Sequence, residues 1–264
     1  MTYNNGDRAV VVIPIYKEFP SRFEKISFRQ VVVVLSSHQI VLVAPEVLDV
    51  SHYLFMCKNV KVERFQRGYF EGISGYNKLL LSPSFYNRFS RYEFILVHQL
   101  DAFVFRDELL LWCDRDYDYV GAPWFKGYDK ATNKDCLIGV GNGGFSLRKI
   151  KSFQRALNSF SWVIRPNEIW REYLNQRYRS KITNIHSVLS RLTIKNNSFY
   201  LFNDYRGNED LFWGQYMTRN FRWFKVPAPE MSFKFSFECN PISLFKANDF
   251  VLPFGCHAWP RYDL

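Results

Sequence analysis

This sequence has little that would staple a fold covalently or through zinc. Its five cysteines, Cys57, Cys113, Cys136, Cys239 and Cys256, are scattered, odd in number and never spaced as CxxC. That pattern fits reduced thiols in a cytosolic protein better than a disulfide framework or a zinc knot. No apolar run reaches the length that spans a bilayer. The opening MTYNNGDRAVVVIPIY has too short an apolar run for a secretory signal and no cleavage pattern. The reading is a soluble or peripheral protein. Internal repeats, low-complexity tracts and linkers are also missing, so one domain over residues 1–264 is the simplest organisation. Acids are outnumbered, with 25 Asp and Glu against 35 Lys and Arg, a net charge of +10. Such a balance suits either a plain solvated surface or anionic partners: phosphates, nucleic acid or an acidic bilayer surface.

Apolar and aromatic residues are plentiful. The 264 residues are 47% hydrophobic, enough for a substantial core, and 19% aromatic, which suits packing and also ring or sugar stacking. The β-branched run Ala9–Ile13, closed by Pro14, predicts a buried strand. Gln39–Val43, Lys61–Phe65 and Phe94–Val97 predict three more. Between the first two, Phe23, Ile26, Val33 and Val34 fall at helical spacing, although the run Val31–Val34 prefers a strand. Residues 74–90 read as helical, interrupted at Pro83. Strands alternating with helical segments predict an α/β fold with a mostly parallel sheet buried on both faces. In the second half, Tyr119–Trp124 predicts a short strand and a rigid turn. Gly141–Arg148 predicts a glycine turn feeding another strand. Ile150, Phe153, Leu157 and Phe160 share one helical face.

Four stretches mix polar or glycine residues with aromatics in a way plain structure does not require: HQLDAF (98–103), GNGGFSLR (141–148), GNEDLFW (207–213) and PFGCHAW (253–259). Asp101 ends the fourth strand, where ligands of open α/β sheets bind; as a lone residue it is equally a turn aspartate. Asn142, Gly143 and Gly144 offer backbone amides without a Cβ in the way, or simply a tight turn. Glu209 and Asp210 sit where acids favour a helix start.

Taken in order, VVVIPIYKE, QLDAFVF, GAPW, GNGGFSLR, NED and PFGCHAW resemble the glycosyltransferases of the GT-A fold, which use nucleotide-diphospho-sugar donors. More closely they resemble a bacterial family known only as a domain of unknown function and often found with surface-polysaccharide genes. The resemblance runs over about residues 9–260 and thins across 160–200. It implies a GT-A-like fold, with a nucleotide-binding half over about 1–105 and an acceptor and catalytic half over about 106–264. It implies transfer of a sugar to a glycan or lipid-linked acceptor. It also places the protein in the cytoplasm, at or near the inner face of the membrane.

The same resemblance assigns roles. In GT-A enzymes an Asp-x-Asp motif after the fourth strand holds a divalent cation; the matching positions here are Gln99 and Asp101, so the first acid is missing. Mn2+ or Mg2+ held by Asp101 with His257 is one implication, and arginines or lysines countering the diphosphate without a metal is the other. The NED block matches the acidic motif that supplies the general base of inverting enzymes, with Asp210 first and Glu209 second. Pro14, Tyr16 and Glu18 would lie near the base and ribose. Tyr76, Asn77 and Lys78, in SGYNK, would contact the donor, and Gly143 and Gly144 the sugar or acceptor side. Trp124, Trp213 and Trp259 would stack on sugar faces or pack in the core.

Two rivals remain. A sugar nucleotidyltransferase needs a glycine-rich phosphate loop after the first strand, and PIYKEFPSRFEK has no glycine. A nonenzymatic glycan- or nucleic-acid-binding module explains charge and aromatics but leaves Asp101, Glu209 and Asp210 idle, and acids repel phosphate; nucleic acid is not an expected partner. Residues 165–195 carry seven Lys or Arg against two acids, with Trp170, Tyr173 and Tyr178 interleaved. They read as a solvated helical face or as a surface that meets an anionic membrane.

Overall fold

The computed structural model describes residues 8–57, 59–131, 136–178 and 185–262. The opening residues 1–7 and part of the basic region, residues 179–184, lie outside the described residues. Eleven strands are placed among them: β1 Ala9–Pro14, β2 Gln39–Pro45, β3 Val60–Phe65, β4 Phe94–His98, β5 Phe103–Val104, β6 Tyr119–Val120, β7 Pro123–Phe125, β8 Leu137–Val140, β9 Phe145–Lys149, β10 Ser236–Phe237 and β11 Gly255–Cys256.

Six of these form the central sheet in the order β3-β2-β1-β4-β9-β6. The first four run parallel, and β9 is antiparallel to both β4 and β6. This is the mostly parallel α/β sheet that the β-branched runs predict. Every residue of β1 and β4 is buried, as expected for central strands covered on both faces. Alternate residues of β1 feed opposite cores. Ala9, Val11 and Ile13 pack with Phe28, Val31 and Trp112, and Val10 and Val12 pack with Leu79, Phe85 and Phe153.

Helices supply those two layers. The first, α1 (Arg22–Val34), starts with a capping box in which Ser21 and Glu24 satisfy each other's backbone N–H groups. The helix overrides the strand preference of Val31–Val34, because that cap and the packing of Ser27, Phe28 and Val31 on the sheet fix the segment. The buried face differs from the sequence expectation: Phe23, Ile26 and Val33 are exposed. Gln30 and Ser27 donate to the carbonyls of Val104 and Ala102, tying α1 to the chain just beyond Asp101. Pro83 does break the helical stretch, into α2 (Gly72–Leu80) and α3 (Pro83–Arg88), with Ser82 capping the latter. After β9, α4 (Ile150–Leu157) buries Ile150, Phe153 and Leu157, but it ends before Phe160, which is exposed.

Two smaller sheets flank the main one, β10-β11-β5 and β7-β8. The first brings the PFGCHAW tail beside the segment that follows β4, with Cys256 opposite Phe103. No described helix is long and apolar enough to cross a membrane.

Candidate active site

The sheet topology decides where the polar residues meet. Strands β1 and β4 are parallel, so Tyr16 and Gln99 emerge at the same edge. Strand β9 is antiparallel to β4, so its entry turn, Asn142–Gly144, lies at that edge too. Gln99 N–H donates to the Gly144 carbonyl at 2.7 Å, closing the turn onto β4. The turn is held from within by Asn142, whose side-chain oxygen accepts from Gly144 N–H (2.7 Å) and Phe145 N–H (2.8 Å). The result is a cleft of about 460 Å³ at the carboxyl ends of the parallel strands, where ligands of open α/β sheets bind.

Many of the sequence-predicted residues line this cleft: Tyr16, Tyr76, Asn77, Gln99, Gly143, Gly144, Glu209, Asp210 and His257. Asp101 joins through His257, whose Nε2 lies 3.3 Å from Asp101 Oδ1. The acids at 101 and at 209–210 therefore converge on one site although more than 100 residues separate them in sequence.

His257 is the hub. Its Nδ1 lies 2.9 Å from Glu238 Oε1, and its Nε2 3.2 Å from Gln99 Oε1. Burial opposes its charge, but Asp101 and Glu238 raise its pKa to about 10, so it stands as an imidazolium between two carboxylates. Burial likewise raises Asp101, and His257 more than offsets that, leaving it below its usual value. Gly144 is required here: a Cβ on it would come within 2.0 Å of His257 Nε2 and 2.7 Å of Gln99 Oε1.

The two acids of NED do different work. Glu209 is fully buried and forms a two-pronged ion pair with the equally buried Arg148, at 2.9 and 2.8 Å. Burial opposes the Arg148 charge, and Glu209 outweighs it and holds the guanidinium well above its ordinary range. Arg148 also donates to Tyr86 and Ser146. Both Glu209 oxygens are engaged, which makes it an anchor. Asp210 is only half-buried, and its Oδ1 accepts from Leu211 N–H at 2.8 Å. Burial raises its pKa, with Glu238 adding to the effect and the Leu211 hydrogen bond opposing it. Burial also raises the Glu209 carboxyl, to about 7, with Arg148 opposing it. Of the two acids of raised proton affinity, Asp210 is the one without an arginine on its oxygens that lines the open cleft.

Two expected donor contacts are largely occupied by the protein itself. The Asn77 side chain bridges the NED start, accepting from Glu209 N–H at 3.2 Å and donating to Asn208 at 3.4 Å. The Tyr76 hydroxyl donates to the Gly143 carbonyl at 2.8 Å.

Other expectations are corrected. Trp213 is completely buried between Phe153, Phe202 and Phe224, with no face for a sugar. Trp124 is 4% exposed and packs against Gly141, where a Cβ would meet its ring at 2.4 Å. Trp259 lies edge-on to Phe23 and Phe103, outside the cleft lining. Pro14 is buried in β1, Lys78 is exposed, and neither they nor Glu18 line the cleft. His98 is buried with both ring nitrogens unpartnered, and burial lowers its pKa to about 4, so it packs as a neutral ring.

Sequence reasoning missed Arg148, Glu238 and the wall formed by Tyr69, Phe70 and Ile73. An arginine beside Leu147 in the strand that the glycine turn feeds was a usable signal for the first, since a buried charge demands a partner. Glu238, flanked by Phe237 and Cys239, carried the same signal.

A family model described as "Protein of unknown function (DUF5672)" matches residues 59–257. The chain belongs to that family. Within this DUF5672 region lie the residues that build the cleft, apart from Tyr16, just beyond the first strand. No curated protein matches the sequence. Solved structures give distant likenesses. Two are of the galactosyltransferase LgtC: one in complex with donor and acceptor sugar analogs (12% identity, TM-score 0.45), the other an active-site mutant (11%, 0.45). Each covers 94% of this chain and 86% of the LgtC chain. A third is A197 from STIV (14% identity, TM-score 0.32), covering 56% of this chain and 68% of that one. Likeness at that level is not evidence of shared chemistry.

The cation implied by the GT-A resemblance can be tested against the donor set. Among the described residues, no group of three or more His, Cys, Asp or Glu side chains forms a metal cage. The atoms that do converge are Asp101 Oδ1, His257 Nε2 and Gln99 Oε1. Asp101 Oδ1 is buried, and its neighbour is His257 Nε2 at 3.3 Å. Hard oxygen donors with one imidazole fit Mn2+ or Mg2+, provided the cation replaces the proton on Nε2.

Proposed function

We propose that this DUF5672 member is a glycosyltransferase of the GT-A type, moving a sugar from a nucleoside-diphosphate donor to a hydroxyl of a glycan or lipid-linked acceptor. The observation that carries the reading is Asp210: a carboxylate of raised proton affinity, held at a helix start, in the same cleft as the Gln99–Asp101–His257 cluster.

An acceptor hydroxyl is a poor nucleophile at neutral pH. As its oxygen forms a bond to the anomeric carbon, Asp210 takes its proton, and the bond from that carbon to the diphosphate oxygen breaks. A carboxylate whose proton affinity lies above the ordinary range of aspartate is better matched to this task. With the base on the face opposite the leaving group, the transfer inverts configuration. Glu209 is unsuited to the role, because Arg148 occupies both its oxygens; the pair instead fixes the backbone from which Asp210 projects. Asn77 fixes the same backbone from the other side.

The cleft carries Asp101, Glu209, Asp210 and Glu238 against Arg148 and His257. Such an excess of carboxylates repels a bare diphosphate. A divalent cation held by Asp101, His257 and the Gln99 oxygen would supply the missing positive charge for the leaving diphosphate when bound. Tyr16, Tyr69, Phe70 and Ile73 form the apolar wall against which a nucleobase and ribose would lie.

Synthesis of surface polysaccharide on lipid-linked acceptors, at the inner face of the membrane, is the setting this reading favours. The test is a panel of UDP-, GDP- and CMP-sugars with Mn2+ or Mg2+, read by donor-induced thermal stabilisation and donor hydrolysis. At least one donor is expected to raise the melting temperature and to be hydrolysed slowly. Indifference to every donor would remove the enzyme reading and favour a binding module.

A further inference from the structure

A second cavity, of about 770 Å³, opens between α4, the start of the helix Pro166–Tyr178 and the turn Asn220–Trp223. Its lining includes Arg155, Arg165 and Arg222 and no acid. All three arginines are exposed. Arg155 lies over the Trp223 ring at 4.1 Å, while Arg165 and Arg222 have no ion pair among the described residues. The acid nearest Arg155 and Arg165 in sequence is Glu168 and the one nearest Arg222 is Glu230, neither of them lining the cavity, and Glu172 is paired with Arg191. Three guanidinium groups with no ion pair among the described residues make a site for phosphate oxygens.

Directly beside it lies an apolar shelf. Trp162 lines both the arginine cavity and a second hollow formed with Phe160 and Ile194. Phe160 is 69% and Ile194 71% exposed. The shelf is built rather than frayed: Phe160 stacks on Phe199 at 5.5 Å, and Trp162 bridges to Asn197. Exposed aromatic and branched side chains next to unpaired arginines are the composition of a surface that enters the headgroup layer of a bilayer.

We propose that this face docks on an anionic membrane, with the Arg155–Arg165–Arg222 cavity taking a lipid phosphate and Phe160, Trp162 and Ile194 entering the interfacial layer. A soluble anionic glycan would use the arginines but gives no role to Phe160 and Ile194. This docking deepens the membrane setting proposed above. It is measured without any sugar donor, so its failure and the failure of the transfer reading are read separately.

The experiment is co-sedimentation of the full chain with phosphatidylcholine vesicles, with and without phosphatidylglycerol, at low and high salt. Binding is expected only with phosphatidylglycerol and is expected to weaken with salt. Each basic residue at such a surface contributes about five-fold in affinity. Arg165→Ala with Arg222→Ala should therefore weaken binding about 25-fold at an unchanged melting temperature. Phe160→Ser with Ile194→Ser should also weaken it, while leaving the salt dependence in place. The proposal is overturned if the wild type ignores anionic vesicles, or if both double variants bind as the wild type does. Retention on heparin that the arginine variant loses, with vesicles ignored, would overturn it as well and reassign the cavity to an anionic glycan.

Discussion

The cleft and the arginine cavity treat the same side chain in opposite ways. In the cleft wall, Arg148 is fully buried and fixed by two bonds to Glu209 and further bonds to Tyr86 and Ser146. In the cavity, Arg165 and Arg222 stand exposed, and among the described residues no acid lines it with them. A buried ion pair organises the protein and has nothing left to give a ligand. An unpaired surface cation contributes little to folding and is available for binding. Charge alone does not mark a binding site; what decides is whether the protein has already satisfied it.

Paired substitutions test this contrast, beginning with the largest effect. Arg148→Met leaves the Glu209 carboxylate buried without a partner, and about 3–5 kcal/mol of stability should be lost in denaturant unfolding. Arg222→Ala, the same residue type in the open cavity, should stay within about 0.5 kcal/mol of the parent. Equal losses at the two positions would erase the distinction. Next comes Gly144→Ala, whose methyl group would strike His257 and Gln99. Overpacking of that kind costs about 1–3 kcal/mol, and the same variant should bind donor poorly; unchanged melting and unchanged donor binding would show that the turn yields freely.

A pH series sharpens the cleft side further. The folded-state pKa of His257, about 10, lies above its ordinary 6.5. Its ion pairs therefore contribute stability fully below pH 6.5, and that contribution is lost as pH rises through about 10. Subtracting the stability curve of His257→Gln from that of the wild type, both with chelator, should give a difference that shrinks across this window. A flat difference would mean that the imidazole is not held charged. The smallest effect belongs to Lys78→Ala. Lys78 is exposed and off the cleft, so stability should change by less than about 0.5 kcal/mol, and donor-induced stabilisation should be unaltered; a lost donor response would restore Lys78 as a contact.

Much of the sheet was legible, because buried parallel strands write themselves as β-branched runs. Ala9–Ile13, Gln39–Val43 and Phe94–Val97 all lie within strands. The helix α1 was harder: its valine run favours a strand locally, and besides its cap it is held by packing on the sheet and by bonds to carbonyls some 75 residues away, at Ala102 and Val104. The cleft was legible where polar and glycine residues interrupt aromatics. Which acid is free and which is tied was hidden, because Glu209 meets Arg148 across 61 residues and His257 meets Glu238 through a β10–β11 pairing. The tryptophans show the same limit. Trp213 and Trp124 look like sugar platforms in sequence, yet their burial is set by Phe153, Phe202 and Gly141, none of them adjacent.

The most direct test separates binding from transfer in Asp210→Asn, using a donor that stabilises the wild type. The amide keeps the shape of the carboxylate but cannot accept the acceptor's proton. The account predicts donor-induced stabilisation close to that of the wild type, with transfer lower by about 10²–10⁴-fold. Wild-type turnover in Asp210→Asn would contradict it and remove Asp210 as the base.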